Sequence, residues 1–207
     1  VVLERIDRLR TMGHLEATCD TCFTSKDTSR CPVSVGRTYR WARLRTRGIP
    51  LELASAVGLR DKAIDQQPVS PRWLVRTTRT LLTEWENHGH PFARVWFDSL
   101  AHTADGLSAV LCADPGRLVR YDSVVVRGTV RTSMRYLQAS IAIKPGDLYN
   151  ESVLNAVDNR LRELPFITQK QRPFVQFTPE STKLFLFLDA KKASSINGVL
   201  GLQPDAV

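Results

Sequence analysis

Apolar residues recur along the chain with two different periods, and the order in which those periods change is repeated. From Arg120 to Val130 the run is rich in β-branched residues, with Val124, Val125 and Val126 consecutive, and it ends near Gly128. Such a run predicts a strand. Ser133 then caps a short helix that places Met134, Leu137 and Ile141 on one face at helical spacing. Lys144-Pro145-Gly146-Asp147 predicts a turn, because proline sets φ and glycine supplies conformations that other residues resist. Asn150 caps a second helix, in which Val153, Leu154, Val157, Leu161 and Leu164 form an apolar stripe with Asn155, Asp158, Asn159 and Arg162 outside it, and Pro165 closes it. Two strands follow, Arg172 to Thr178 and Lys183 to Ala190, divided by Pro179-Glu180-Ser181. The order is strand, helix, helix, strand, strand.

The same order occurs upstream. Tyr39 to Arg47 predicts a first strand and Leu51 to Val57 a short helix; Ser70 and Pro71 open a second helix with Leu74, Leu81 and Trp85 inward, stopped at Gly89. Phe92 to Asp98 and Leu107 to Ala113 are its closing strands. The two stretches also align residue by residue. Gly36, Arg37, Arg40, Trp41, Leu44, Arg47 and Gly48 fall in step with Gly116, Arg117, Arg120, Tyr121, Val124, Arg127 and Gly128, and Gly13, His14 and Ala17 with Gly89, His90 and Ala93. The unit is about 75 to 80 residues, the size of a small domain repeated in tandem. Ahead of it, a helix near Val2 to Met12 and a hairpin reaching Val35 read as the latter part of an incomplete first unit.

Composition narrows the classes. The chain has 207 residues, 43% hydrophobic, a formal charge of +8 and a pI near 9.7. No apolar run approaches the roughly 20 residues of a membrane-spanning helix. The chain opens at Val1 without a charged-then-apolar leader, so it is expected to be a piece of a longer precursor. Arg43, Arg45 and Arg47 alternate with Leu44 and Thr46, which fits a half-buried strand with a solvated basic face better than a nucleic-acid groove. No nucleic-acid partner is expected.

Cysteines lie at 19, 22, 31 and 112. If Leu15 to Asp20 and Cys31 to Val35 pair about a turn near Ser25 to Asp27, a register centred on Ser25 sets Cys19 opposite Cys31. That register predicts a Cys19–Cys31 disulfide, consistent with an oxidising compartment. Cys22 and Cys112 are expected to be free, buried thiols. A zinc site from His14, Cys19, Cys22 and Cys31 is the alternative, but the segment lacks the paired halves of common structural sites. His88 and His90 lie near Glu84, Glu86 and Asp98, yet a helix stop followed by a strand accounts for that stretch. With no phosphate loop, nucleophile elbow or His-Glu-x-x-His pattern, no enzyme, metal or cofactor is expected.

Val124 to Gly128, Lys144-Pro145-Gly146-Asp147, Leu154 to Leu164 and the step Leu164-Pro165-Phe166 together resemble polypeptide-transport-associated (POTRA) domains. The tract from Lys191 to Leu202 is similar to the entry into the first barrel strand in the outer-membrane assembly and two-partner-secretion superfamily, and Tyr39 to Leu44 points toward Bacteroidetes-like members. The resemblance implies an α+β fold of tandem POTRA-like domains (β-α-α-β-β, a three-stranded mixed sheet with two helices on one face): a partial one over 1–38, complete ones over 39–117 and 118–191, and the start of an absent barrel over 192–207. It implies the periplasmic face of the bacterial outer membrane as location. The expected partners are unfolded outer-membrane or secreted polypeptides, accessory lipoproteins and a C-terminal β-barrel of the same chain.

In that fold the second strand of each unit lies at a sheet edge, where unpaired backbone groups can accept an added strand from a client. The candidate edge residues are Phe92, Arg94, Trp96 and Phe97 in one unit and Pro173, Phe174, Val175 and Phe177 in the other. Phe92, Arg94 and Trp96 should share one face, and Ala93, Val95 and Phe97 the other, with one set under the helices. Trp96 taken singly is expected to serve packing or an inter-domain contact. The alternative function is a structural adaptor that holds accessory proteins or braces the barrel without touching clients.

Overall fold

The computed structural model describes residues 2–26, 28–60 and 64–191. The barrel entry expected over 192–207 lies outside them. The chain divides into two compact units, Val1–Val119 with Tyr149–Glu151, and Arg120–Leu148 with Ser152–Val207.

In the first unit, helix α1 (Val2–Thr11) buries Ile6 and leads to a short hairpin of β1 (Phe23–Ser25) and β2 (Thr28–Arg30). Strand β3 (Trp41–Arg47) buries Leu44 while Arg43, Arg45 and Arg47 stay exposed, the alternation of a strand covered on one face. Helix α2 (Leu51–Ala56) is followed by α3 (Pro71–Asn87). Helix α3 starts where the sequence places it: Pro71 occupies the first turn, and the Ser70 hydroxyl accepts the Trp73 N–H at 3.3 Å. Strands β4 (Arg94–Thr103) and β5 (Gly106–Asp114) complete a three-stranded sheet of order β3-β5-β4, with β5 parallel to β3 and antiparallel to β4. The core unites Trp41 and Leu44 of β3, Leu81 and Trp85 of α3, and Ala109 and Leu111 of β5.

The second unit repeats the plan. Strand β6 (Ser123–Arg127), helices α4 (Met134–Ile141) and α5 (Glu151–Arg162), and strands β7 (Ile167–Phe177) and β8 (Thr182–Ala190) follow in order, and the sheet reads β6-β8-β7. Leu184, Leu186 and Leu188 of central β8 are wholly buried with Leu137, Val157 and Leu161 of the helices. Each such leucine contributes about 1.5–3 kcal/mol of apolar burial. The expected α+β class, with mixed three-stranded sheets, is what the chain adopts.

The residues that align between repeats do the same structural work in each. Trp41 and Tyr121 are buried and exchange backbone hydrogen bonds with the loop ahead of the second helix: Trp41 N–H donates to Gln67 O (3.0 Å) and Tyr121 N–H to Asp147 O (2.9 Å). Arg40 and Arg120 hold that same loop from outside, each donating Nη1 to a carbonyl, of Gln66 and of Gly146, at 2.8 Å. Gly48 and Gly128 end the first strands at positive φ, where a Cβ would lie 2.1 Å from Ala113 O and 2.2 Å from Leu188 O. Only glycine lets the exit of the first strand pass so close to the central strand's backbone.

The first hairpin departs from expectation. Its ladder pairs Phe23 with Arg30, Thr24 with Ser29 and Ser25 with Thr28, so the strands turn beyond Ser25, with Lys26 at φ 42°. Short hairpin loops favour positive φ, and this one sets the register. One more step brings Cys22 opposite Cys31, and these two form the disulfide in place of the expected Cys19–Cys31 bond. Cys22 is thus neither free nor buried, Cys19 keeps its thiol, and Cys112 is a free, buried thiol as expected. The longer strands expected over Leu15 to Asp20 and Cys31 to Val35 reduce to one bridge, Thr18 with Ser34.

Two outcomes follow for stability. Gly48→Ala and Gly128→Ala should each cost more than Gly58→Ala in urea unfolding; all three sites carry positive φ, worth about 1–2 kcal/mol, but Gly58 opens onto empty space. Equal costs would mean that the strand exits relax freely. At the end of β8, Asp189 accepts the Thr129 N–H and hydroxyl, both at 2.9 Å, with Lys170 Nζ at 3.3 Å. The Thr129 bonds, and then Lys170, hold its carboxyl below the usual carboxylate range. A lowered folded-state pKa stabilises above the unfolded value of about 3.9 and ceases to do so as pH falls through the folded one. The urea midpoint gap between the natural chain and Asp189→Asn should therefore be larger at neutral pH than at about pH 2–3.

Candidate functional site

Each three-stranded sheet has two outer strands, β3 and β4 or β6 and β7; β4 and β7 are outer because each is the first arm of a hairpin whose second arm also pairs with the parallel first strand. Each therefore has one backbone edge turned away from its own sheet.

On β4 the candidate residues separate by parity. Ala93 and Val95 pack against the core. Arg94 and Trp96 project from the opposite face, where Arg94 pairs with Asp114 at 3.4 Å and Trp96 stands across from Cys112. Trp96 is 47% exposed and lies outside the core cluster of its unit. Phe97, on the helix side by parity and opposite Leu111, remains 37% exposed. Phe92 precedes the strand, with the Arg117 guanidinium 5.1 Å from its ring centroid, a cation–π distance. The ladder with β5 is unbroken from Arg94 to Asp98, then shifts before Ala101, where Ser99 takes φ 55°. Five consecutive residues thus keep regular strand geometry on the open side.

Strand β7 is a different kind of edge. Its ladder slips twice, between Gln169 and Gln171 and again between Gln171 and Phe174, and Pro173 lies within the second slip. Proline removes a donor, and bulges twist an edge away from partners. Beyond it Phe174 stacks on Phe185 and Phe187 at 5.2 and 5.8 Å, while Val175 stands opposite Leu184 and Phe177 opposite Thr182. The three stacked rings form an apolar patch on the face turned from the leucine core. Sequence reasoning missed this patch. Its signal was the strict Leu–Phe alternation of Leu184 to Leu188, apolar on both faces rather than one.

The electrostatic surroundings are basic and loosely paired. Arg43, Arg45 and Arg47 line the outer face of β3, and Arg47 reaches Asp98 of β4 at 3.4 Å across the sheet. Such exposed pairs contribute little. Glu16 is bonded by the Tyr39 hydroxyl and lies 3.6 Å from Arg37; the hydroxyl first and the guanidinium second hold its carboxyl below the usual range. His88 Nδ1 donates to Glu84 O at 2.7 Å at the helix end, and His90, whose backbone N–H donates to Trp85 O at 2.9 Å, has its Nδ1 3.3 Å from Gly116 O. The sulfur atoms of Cys19, Cys22 and Cys31 lie within 4.8 Å of one another, whereas His14 faces the Thr38 hydroxyl at 3.4 Å.

No protein-family model matches the sequence, and no curated protein does. Solved structures do. The POTRA3-5 segment of BamA from Haemophilus influenzae superposes with a TM-score of 0.56 at 15% identity, covering 90% of this chain and 76% of that one. BamA from Haemophilus ducreyi lacking POTRA domains 1-3 gives 0.53 at 13% identity over 74% of this chain, which spans 29% of that structure's length. Neither bears on the Bacteroidetes-like affinity expected from Tyr39 to Leu44. In this chain the repeated unit is one strand, two helices and a hairpin, with the first strand parallel to the last. The chain therefore has the fold of tandem POTRA domains.

Proposed function

We propose that this chain is a periplasmic polypeptide-docking module of an outer-membrane β-barrel protein, and that extended client segments bind by adding a strand to β4. The carrying observation is the unbroken run Arg94 to Asp98, outermost in its sheet, with Trp96 exposed beside it. Backbone hydrogen bonds along such an edge give affinity with little sequence preference, and Trp96 adds a side-chain platform. The bulged, proline-bearing β7 is the weaker edge; Phe174 with Phe185 and Phe187 offers a face contact there instead. In this reading the module is not an enzyme, and its natural clients are unfolded outer-membrane or secreted polypeptides delivered to a barrel. The charge of +8 draws acidic segments or anionic headgroups near, in a manner that salt weakens.

The bulges of β7 favour one second reading for the other unit, a brace or adaptor that holds accessory lipoproteins without accepting strands. A single titration separates the two. Unfolded peptides copied from outer-membrane barrel strands, added to the isotopically labelled chain, should broaden or shift amides over Arg94 to Asp98 more than over Phe174 to Phe177. Trp96→Ala should weaken that binding several-fold, as loss of about 0.5–1.5 kcal/mol of aromatic contact requires. Unchanged amides along both strands at millimolar peptide would leave the adaptor reading.

A further inference from the structure

Three of the four cysteines are gathered at the base of the β1–β2 hairpin, on a surface that the docking edge does not use. Cys22 and Cys31 are joined by a disulfide, and the free thiol of Cys19 lies 3.9 Å from Cys22 Sγ. Cys22 is exposed, and Cys19 and Cys31 are partly so. A thiol beside one sulfur of an accessible disulfide is within reach of thiol–disulfide exchange; because the three sulfurs all lie within 4.8 Å of one another, Cys19 stands off the Cys22–Cys31 bond axis and its side chain must rotate to attack in line. The backbone between them is an irregular stretch of two residues, Asp20 and Thr21, outside any strand ladder. Neither sulfur is walled off by the core.

We infer that Cys19, Cys22 and Cys31 form a thiol–disulfide exchange site in which Cys22 is the shared sulfur and Cys31 the thiol released. Cys19 gives up its proton and its thiolate attacks Cys22 Sγ. The Cys19–Cys22 bond forms as the Cys22–Cys31 bond breaks, and the electron pair leaves on the Cys31 sulfur, which takes up a proton. Oxidation level is unchanged, so no oxidant or reductant is consumed. The released Cys31 thiol is then available to a disulfide-bearing partner or small disulfide, and the hairpin loses its cross-strand staple while the exchanged form persists.

The test uses the full chain, never exposed to reductant. It is alkylated with iodoacetamide over a time course at about pH 8, where thiolate is accessible, then acid-quenched and digested with trypsin without reduction. Cleavage after Lys26 and Arg30 leaves Cys19 and Cys22 on one peptide and Cys31 on another. Exchange predicts two products: crosslinked peptides labelled at Cys19, and an internally bonded Cys19–Cys22 peptide accompanied by labelled Cys31. Label confined to Cys19 throughout the time course would overturn it. Given oxidised glutathione as oxidant, the Cys31→Ser chain should form the Cys19–Cys22 bond with release of two reduced glutathiones; two free thiols after that treatment would count against exchange. In Cys19→Ser no label should reach Cys31, and label appearing there would show opening by another route. Purification with a stoichiometric zinc ion and all three thiols reduced would replace exchange with metal binding.

Discussion

Whatever surface this molecule offers a partner depends on one ladder, the parallel pairing of each unit's first strand with its last. Parallel neighbours cannot be joined by a tight turn, so the chain must cross over between them. Both helices and one more strand are made on the way. The helices are thereby placed on one face, where α3 supplies Leu81 and Trp85 and α5 supplies Val157 and Leu161 to the cores. The strand made during the crossover, β4 or β7, is left only the far side of the central strand. An open edge is a consequence of the connectivity, not an ornament upon it.

The same ladder explains why so few positions align between the repeats. Gly48 and Gly128 sit where the first strand leaves the sheet against the carbonyl of the central strand. Trp41 and Tyr121 fill the space where the strand enters, and Arg40 and Arg120 hold the loop ahead of the second helix. The remaining contacts are apolar burial, which tolerates exchange among aliphatic residues of similar volume. Superposition at 15% identity is what that division permits: a few steric and hydrogen-bonding positions hold the plan, and the rest of the core needs only size and polarity.

The two edges show how equivalent topology yields unequal surfaces. Proteins blunt exposed edges with bulges and proline because an unprotected strand invites aggregation. β7 carries both devices, and β4 carries a bulge only after five regular residues. Leaving β4 open carries a hazard of unwanted pairing, which makes it the informative strand. On β7 the aromatic stack of Phe174, Phe185 and Phe187 exposes rings rather than backbone.

Element order, the helix cap at Ser70, the repeat and the α+β class were all legible in the sequence, because each rests on local rules: side-chain period, capping chemistry, and the φ values that glycine and proline admit. The inward and outward division of β4 was legible too, since alternation is intrinsic to a strand. Which residues stand across from one another was not. The Cys22–Cys31 disulfide and the slips of β7 at Pro173 both turn on register between segments, and there a shift of one residue exchanges every neighbour while leaving the local pattern unchanged. Local chemistry decided what each segment would become; only the assembled sheet decided what each would face.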